Sequence, residues 1–423
     1  MKLSRTELAA LDSQAHIQAI PLQAPAGPAQ RHFLFVTAPF GPFSSLLARR
    51  LRRAGARCSR ILLNGGDVAD WGVRHAAVYS GTRAGWALWV SEFMRRQRVT
   101  DLIVFGDSHP YCVDAIRQAQ RDGLAVHVLE EGYLRPNWIT LERDGVNGNS
   151  QLPRDPYAYQ SGAGVSAPHE EVNSGPTALV VRISLYFMAL YLGGPFFPHF
   201  RAPYPYSPLR QALAYARRYV AGALSARRPA EAASLRPGYF LALLQRPGDS
   251  QIVRHSPFPT VGGMIERVMV SFAAHAPSDA RLVFKSHPLD HGIERHGQVI
   301  KDQARRLGLE GRVAFVEAGD LMTMLDSAVG VIAVNSTAGF AALGRSRPTV
   351  VLGSAIYNLV GLTHQSGLDA FWATPEGPDM DFFHRFSRTV IAKTQINGAY
   401  ASLSGARMAA NGVSHRLLGQ AAA

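Results

Sequence analysis

The stretch Asp101-Leu-Ile-Val-Phe105 is apolar after its first residue, and it is followed by the polar turn Gly106-Asp-Ser-His-Pro110 and a run with helical spacing. The same order of strand, turn and helix starts earlier at Phe33-Leu-Phe-Val-Thr37 and recurs at Ala125-Val-His-Val-Leu129. Continuous apolar strands that alternate with helices are typical of a parallel sheet covered on both faces. Ligands of such sheets bind at the carboxyl ends of the strands, where these polar turns lie.

A second series of the same kind begins at Tyr239-Phe-Leu-Ala-Leu-Leu244, and its later apolar runs precede Lys285-Ser-His-Pro288 and Asn335-Ser-Thr337. The 423 residues suffice for two or three domains of roughly 100–200 residues. The pattern therefore predicts an α/β fold with two Rossmann-like domains, parallel sheets and an interdomain cleft. The predicted segments are an N-terminal extension at 1–30, a first Rossmann-like domain at 31–170, a linker at 171–236, a second Rossmann-like domain at 237–400 and a tail at 401–423.

Composition narrows the class of protein. With 47% apolar and 18% charged residues the chain can bury sizeable cores, which excludes a wholly disordered or low-complexity protein. The net charge is +13, and arginine supplies nearly all of the positive charge. Arginine binds phosphate and carboxylate groups bidentately, although a codon bias would give the same composition. A positive electrostatic field attracts nucleic acids, anionic membranes and nucleotide-sugars alike, so the net charge does not distinguish among these three classes of partner.

Cysteine usage and the N-terminal composition indicate the compartment. Cys58 and Cys112 cannot make a disulfide framework, and no Cys/His spacing resembles a zinc site. Residues 1–32 contain the acids Glu7 and Asp12 and lack the unbroken apolar core of a signal peptide. We therefore expect a cytoplasmic protein.

The predicted linker has a composition of its own. Residues 177–200 contain one formal charge, Arg182, and a Gly-Gly-Pro break leaves about a dozen uninterrupted apolar residues. A helix that spans a membrane needs ~20 apolar residues. Residues 201–236 then contain seven arginines against one acid, Glu231. An apolar stretch before a basic amphipathic helix favours attachment to an anionic membrane surface, with a buried helix and a solvated linker as the alternative.

Two glutamates follow a predicted strand directly, in Glu130-Glu-Gly132. Paired carboxylates can raise one another's pKa to give a base, or leave one ionised as a nucleophile. We expect the strand to end at Leu129 and to direct Glu130 into the cleft, with Glu131 already in the turn and on the opposite side. Ordinary surface turn residues are the alternative.

Two further polar turns follow strands of the second series. His287 can donate a hydrogen bond or a proton to a phosphate oxygen, with Pro288 stiffening the turn and Lys285 adding charge. A core or helix-capping histidine is the alternative. The turn Asn335-Ser-Thr337 opens a helix whose amide groups can bind an anion, which is compatible with simple N-capping. Asp379-Met-Asp381 matches a metal-holding pattern, but its position favours the start of a helix.

Several strings resemble the capsule polysaccharide biosynthesis and export family, the KpsS/LipB-like group. The resemblance runs from about Phe33 to Tyr400, and its longest block lies between Glu130 and Asp155. The matching strings include Asn64-Gly-Gly-Asp67, Glu130-Glu-Gly-Tyr-Leu-Arg-Pro136, Val146-Asn-Gly148, Leu152-Pro-Arg-Asp155, Asp249-Ser-Gln251, His255-Ser-Pro-Phe258, Lys285-Ser-His-Pro-Leu-Asp290 and Gln395-Ile-Asn-Gly398.

The resemblance implies a GT-B-like fold and a retaining β-Kdo transferase. Such an enzyme moves Kdo from CMP-Kdo to a phosphatidylglycerol-type lipid acceptor and so starts the capsule linker. The acid-acid-Gly triplet and the His-Pro pair are also similar to those of bacterial sialyltransferases, in which the first acid is the catalytic carboxylate. Because those enzymes commonly invert the configuration at the anomeric carbon, the resemblance implies Glu130 either as the nucleophile or as the base. Glu131 is the alternative residue for that role.

The same carry-over implies the other site residues. The catalytic set is Glu130, Glu131 and His287, and the donor-binding set is Lys285, His287, Pro288, Asn335, Ser336 and Thr337. Further cleft candidates are Asn64, Asp67, Arg135 and Gln245.

No metal or cofactor is expected, because CMP-Kdo is already activated. The implied partners are CMP-Kdo, the lipid acceptor, an anionic membrane surface and capsule assembly and export proteins. The implied location is the cytoplasmic face of the inner membrane, where the protein is peripheral. A non-enzymatic export factor is the alternative function. Nucleic-acid binding lacks a recognisable module and is not expected.

Overall fold

The computed structural model describes residues 27–160, 170–172, 176–202, 206–207, 209–211, 213–214, 217 and 235–419. The strands in these ranges are β1 His32–Phe35, β2 Arg57–Leu62, β3 Ala76–Val78, β4 Asp101–Phe105, β5 Ala125–Glu131, β6 Trp138–Arg143, β7 Tyr239–Leu243, β8 Leu282–Lys285, β9 Val313–Val316, β10 Ala328–Ala333, β11 Thr349–Val351 and β12 Gln395–Asn397.

The α-helices in the described ranges lie between these strands and at the end of the chain. They are α1 Phe43–Arg53, α2 Gly65–Trp71, α3 Trp86–Arg96, α4 Pro110–Arg121, α5 Pro176–Leu192, α6 Ser250–Val253, α7 Val261–His275, α8 His296–Arg306, α9 Leu321–Asp326, α10 Thr337–Leu343, α11 Gly367–Phe371, α12 Met380–Thr394 and α13 Leu403–Leu418.

The strands form two sheets with helices on their faces. The first sheet has the order β12-β6-β5-β4-β1-β2-β3, and the second has the order β11-β10-β7-β8-β9. All pairings in the second sheet are parallel, as are those from β5 to β3 in the first. The predicted α/β class, with two Rossmann-like domains built on parallel sheets, is confirmed. At one edge of the first sheet β6 and β12 run antiparallel to their neighbours.

The end of the chain returns to the first domain. Strand β12 pairs with β6, with Gln395 opposite Thr140, and the core of the first domain includes Ala406, Ala410 and Val413 of α13. The predicted assignment of residues 237–400 to the second domain and of 401–423 to a tail differs from this arrangement. The physical reason is that α13 has a narrow face of small apolar side chains, which packs closely against α1.

An apolar cluster joins the two domains beside the cleft. Tyr133, Leu152 and Tyr159 of the first domain pack in one buried cluster with Phe340 and Phe386 from the second half of the chain. The Arg154 guanidinium also donates to the carbonyl oxygen of Ala355 at 2.7 Å. These contacts fix the edges of the two sheets relative to one another.

The apolar part of the predicted linker is helix α5, which packs on α2. A Cβ atom at Gly65 would lie 2.1 Å from the carbonyl oxygen of Ala189, and one at Gly66 would lie 2.5 Å from the Tyr186 ring. The two glycines of the Asn64-Gly-Gly-Asp67 string therefore allow the helices to touch. None of the helices in the described ranges is long and apolar enough to cross a membrane.

Gly65→Ala should push α5 away from the first domain, because the added methyl group meets a backbone oxygen that cannot rotate aside. We expect a loss of ~1–3 kcal/mol in the free energy of unfolding, measured in urea. Gly262→Ala in α7 is the matched control, since its Cβ would meet no atom closer than 3.6 Å. Equal stability of the two variants would contradict the α2–α5 contact.

Candidate active site

Strand β5 extends two residues beyond the predicted end at Leu129. It pairs antiparallel with β6, with Glu130 opposite Thr140 and Glu131 opposite Ile139. Glu131 therefore lies in the strand, and the expectation that it lies in the turn is wrong. The alternation of a strand gives the two glutamates different environments: Glu130 is half-buried and Glu131 is exposed.

The Glu130 carboxylate lies against the end of the neighbouring strand β4. Its Oε1 accepts a hydrogen bond from the backbone N–H of Glu131 at 3.0 Å, and its Oε2 lies 3.4 Å from where a Cβ of Gly106 would be. Burial raises the pKa of Glu130 to about 7, assisted by the negative charges of Glu131 and Asp107 and opposed by the Glu131 N–H and Arg135. Such a carboxyl group exchanges its proton near neutral pH, as a base or an acid must.

Asp107 is a buried residue of this edge that the sequence patterns do not single out. Its Oδ2 accepts hydrogen bonds from the Val146 N–H and the Asn149 side-chain amide, both at 3.0 Å. It thereby holds the loop that contains the Val146-Asn-Gly148 string. A Cβ at Gly148 would lie 2.3 Å from Nδ1 of His255, so this loop touches the second domain directly. The position of Asp107 just after β4 is the signal that could have found it.

His287 follows β8 and is half-buried. Its Nδ1 accepts a hydrogen bond from the Leu289 N–H at 3.0 Å, which leaves the ring proton on Nε2. Burial lowers the pKa of His287 to about 4, and the positive charges of Arg246 and Arg135 act in the same direction. At neutral pH the imidazole is therefore a neutral hydrogen-bond donor rather than a cation.

The neighbours of His287 in the turn differ in exposure. Pro288 is exposed, whereas Lys285 is buried and its ammonium donates to the carbonyl oxygens of Ser286 at 3.0 Å and of Glu317 at 3.4 Å. Arg246, in the turn after β7, is an exposed cation whose charge acts on His287. The sequence patterns missed Arg246, although its place just after a strand is a signal that could have found it.

The ends of β7 and β10 bring a group of amides together. Gln245 is buried and its side-chain amide donates to the carbonyl oxygen of Asn335 at 3.4 Å, while the Asn335 amide donates to Oε1 of Gln251. Ser336 caps α10, because its hydroxyl accepts from the Ala338 N–H at 3.1 Å. Thr337 is the first residue of that helix.

The remaining cleft candidates fall into two groups. Asn64 and Asp67 are buried and hydrogen-bonded to each other, and Asp67 also pairs with Arg60 at 2.7 Å, so both stabilise the turn before α2. Arg135 is exposed, and its charge acts on both Glu130 and His287, which places it between the two halves of the site.

The acid pair that resembled a metal pattern starts a helix. Asp379 caps α12 by accepting from the Phe382 N–H at 3.0 Å, which confirms the predicted helix start. Within the ranges that the structure describes, no cluster of three or more His, Cys, Asp or Glu side chains could hold a metal ion.

The chain is similar to proteins of bacterial capsule formation. Residues 100–400 match the family described as "Capsule polysaccharide biosynthesis protein". The capsule polysaccharide export protein KpsS of Escherichia coli is 34% identical over 377 residues, which are 88% of this chain and 97% of the relative. The capsule polysaccharide modification protein LipB of Neisseria meningitidis serogroup B is 31% identical over 385 residues, 88% of this chain and 92% of the relative.

Among solved structures, the β-Kdo 2,7 transferase of Thermosulfurimonas dismutans KpsC covers 92% of this chain and 99% of its own, with 13% identity and a TM-score of 0.45. A UDP complex of S. aureus MnaA covers 84% of this chain and 90% of its own, with 11% identity and a TM-score of 0.33. The match over residues 100–400 and the identity to two relatives over nearly their full length show that this chain belongs to the capsule polysaccharide biosynthesis protein family.

Proposed function

We propose that this protein is a retaining β-Kdo glycosyltransferase that moves Kdo from CMP-Kdo to a phosphatidylglycerol-type lipid acceptor. The observation that supports the proposal is that the charge of Arg135 acts both on Glu130, a half-buried carboxyl group whose pKa is raised to about 7, and on His287, a neutral imidazole. The names of KpsS and LipB, which concern capsule polysaccharide export and modification, support a role in the same process.

The reaction needs two displacements at the anomeric carbon if the configuration is retained. The ionised Glu130 carboxylate attacks this carbon, and the bond to the CMP phosphate oxygen breaks with its electron pair leaving on CMP. The acceptor hydroxyl then displaces the carboxylate and gives its proton to a base. If Glu130 is instead that base, it takes the proton from the acceptor and another group must act as nucleophile.

The second domain stabilises the departing phosphate in this scheme. The Nε2–H of His287 donates to a phosphate oxygen, and Arg246 of the same domain and Arg135 of the first domain supply positive charge near it. Ser336 and Thr337 offer a hydroxyl and amide groups at the start of α10. Asn335 and Gln245 are held together by the hydrogen bond between them, and we assign them with Pro288 to the donor site. The Lys285 ammonium supports the turn through its hydrogen bond to the Ser286 carbonyl oxygen. No metal is needed for these contacts.

We also propose that α5 lies on the anionic cytoplasmic surface of the inner membrane. One face of the helix is exposed and apolar, with Val181, Leu185, Met188 and Leu192 each between 53% and 73% exposed. Phe196, just after this helix, is also exposed. Two exposed arginines, Arg210 and Arg217, follow later in the chain. Arg218 lies outside the described residues. An apolar face next to basic side chains suits a surface of anionic lipids.

Glu130→Gln should reduce transfer of Kdo from CMP-Kdo to a fluorescent phosphatidylglycerol acceptor by ~100-fold or more, because it keeps the shape and removes the charge. Binding of CMP should be retained. Glu131→Gln is the matched control and should reduce Kdo transfer by less than about tenfold. His287→Ala should weaken transfer and CMP binding together, since it contacts the departing phosphate.

Three outcomes of this assay would revise the proposal. An inactive Glu131→Gln beside an active Glu130→Gln would reverse the roles of the two glutamates. Activity in both variants would exclude a carboxylate mechanism. Absence of CMP release by the wild type with every acceptor tried would favour a non-enzymatic export factor.

The raised pKa of Glu130 also predicts how stability depends on pH. Since the pKa lies at about 7 in the folded protein against an ordinary 4.5, ionisation destabilises the fold, and stability should fall as the pH rises from about 4.5 to about 7. Glu130→Gln should abolish this fall and be ~1–3 kcal/mol more stable than the wild type at pH 8, with equal stability at pH 4. Urea unfolding of both proteins at pH 4 and pH 8 measures these free energies of unfolding. The exposed Glu131→Gln should change stability by less than about 0.5 kcal/mol.

Replacing Arg210, Arg217 and Arg218 together by glutamine should weaken binding to anionic vesicles by ~100-fold, since each basic residue at such a surface contributes roughly 1 kcal/mol. Co-sedimentation with phosphatidylglycerol vesicles measures it. A control variant with the same loss of charge replaces the exposed Arg49, Arg53 and Arg121 of α1 and α4. The surface-helix proposal fails if the two triple variants sediment equally.

A further inference from the structure

A cavity of about 640 Å³ lies on the first domain, at the edge of the sheet opposite to Glu130. Among its lining residues, Arg31 directly precedes β1 and His127 is the third residue of β5, so both lie near the amino ends of these parallel strands. Glu130 lies at the carboxyl end of β5. The cavity is therefore separate from the candidate active site, and its volume is within the range of sites that hold small organic ligands.

The cavity lies beside β6, beyond the point where its pairing with β12 stops. Strand β12 pairs with β6 only as far as Thr140, so none of the described strands covers the outer side of β6 at Leu141. The ends of α12 and α13 lie there instead and supply the lining residues Lys393 and Leu417. Leu141, Leu152 and Leu417 are buried and give the lining an apolar part.

Three of the four cations that line the cavity form no ion pair within the part of the chain that the structure describes. They are Arg143, Lys393 and Arg416, whereas the fourth, Arg31, pairs with Asp101. The side chains of Arg143 and Lys393 are exposed, and among the described residues neither donates a hydrogen bond. Their charged groups are therefore available to a ligand.

Two of the cations converge on one buried ring. In the β5–β6 pairing His127 lies opposite Arg143, so the two side chains project from the same face of the sheet. Burial lowers the pKa of His127, and the positive charges of Arg143 and Arg31 act in the same direction, against the hydrogen bond with Asp101. The ring is therefore neutral, and arginine supplies the positive charge at this end of the cavity.

The one carboxylate among the described lining residues, Glu142, already has hydrogen-bond partners on both oxygens. Its Oε1 accepts from the Tyr133 hydroxyl at 2.7 Å and its Oε2 from the Ser150 hydroxyl. Arg416 is also held in place, because its guanidinium donates to the carbonyl oxygens of Gln395 at 3.0 Å and Lys393 at 3.2 Å. An anion that enters the cavity thus meets an excess of positive charge.

We propose that this cavity binds a small sugar that carries a phosphate or a carboxylate group. Arg143 and Lys393 bind the anionic group, since both have an unpaired charge and free N–H donors. The exposed Gln151 amide bonds to the hydroxyl groups, and the apolar side chains of Leu141 and Leu152 contact the C–H groups of the ring. The site contains neither Glu130 nor His287, so this inference goes beyond the proposed function.

Calorimetry with glucose 6-phosphate, glucuronate and glucose tests the need for an anionic group, because the three probes share one ring. We expect one or both anions to bind and glucose not to bind at the same concentration. Replacing Arg143 and Lys393 together by glutamine should weaken anion binding by about tenfold or more. The matched control replaces the exposed Lys301 and Arg306 of α8 by glutamine, with the same loss of charge, and should follow the wild type.

A second measurement locates the bound anion and separates the cavity from the proposed donor site. Hydrogen exchange at residues 141–144 should slow when the tighter-binding anion is added, whereas exchange at residues 286–289 should not change. His287→Ala should bind the same anion as tightly as the wild type does. These results are expected whether or not the protein transfers Kdo.

Three outcomes would overturn the proposal. The first is that neither anion binds more tightly than glucose. The second is that the variant without Arg143 and Lys393 keeps the affinity of the wild type. The third is that His287→Ala loses the binding and that exchange slows at residues 286–289 instead, which would assign the anion to the donor site.

Discussion

The burial of the Glu130 carboxylate is the constraint on which the rest of the site depends. It arises because β5 continues past its parallel neighbours and pairs antiparallel with β6, so that Glu130 remains in a strand and faces inward. Gly106 leaves room for the carboxylate, and the Tyr400 hydroxyl donates to the Glu130 carbonyl oxygen at 3.3 Å from the returning end of the chain. No cation pairs closely with the group among the described residues, so burial favours its neutral form.

In the proposed function the two halves of the site have opposite electrostatic roles. The first domain supplies a carboxyl group that can lose its proton near neutral pH, and the second supplies an imidazole that stays neutral beside Arg246. A neutral donor next to arginine suits a phosphate that gains charge as it leaves, because the arginine provides the charge and the imidazole provides direction. Asp107 connects the two domains indirectly, since the loop that it holds contacts His255 of the second domain.

The sequence predicts the parallel part of the fold well and the antiparallel edge poorly. Apolar runs followed by polar turns identify β1, β4, β5 and the second sheet, because each run is buried on both faces. Strand β12 has three residues, and α13 buries mainly alanine, so neither has a pattern that separates it from a tail. Their place in the first domain depends on contacts between residues more than 250 positions apart, which no local pattern encodes.

The same distinction applies to the site. Glu130 and His287 are predictable because Glu130 lies in the last two residues of β5 and His287 lies just after β8, both at the carboxyl end of a strand. The contact between His255 and the loop that Asp107 holds is not predictable, because this loop and the second domain meet only in the folded chain. Asn64 and Asp67 stand at a strand end as well, but Arg60 and the Leu63 N–H engage Asp67 locally and keep both side chains in the turn.

Helix α5 relates the proposed membrane contact to the direction of the reaction. It packs on α2, which begins where β2 ends, and parallel strands place all of their carboxyl ends at one edge. Helix α5 is therefore on the same edge of the first sheet as Glu130, and in the proposed function the turn of His287 would face that edge from the second domain. A lipid acceptor at the membrane would reach the carboxylate from the side of the first domain, while a soluble nucleotide-sugar would enter against the second. One helix–helix contact, made possible by two glycines, would then set both the orientation of the protein on the membrane and the order in which the two substrates meet the carboxylate.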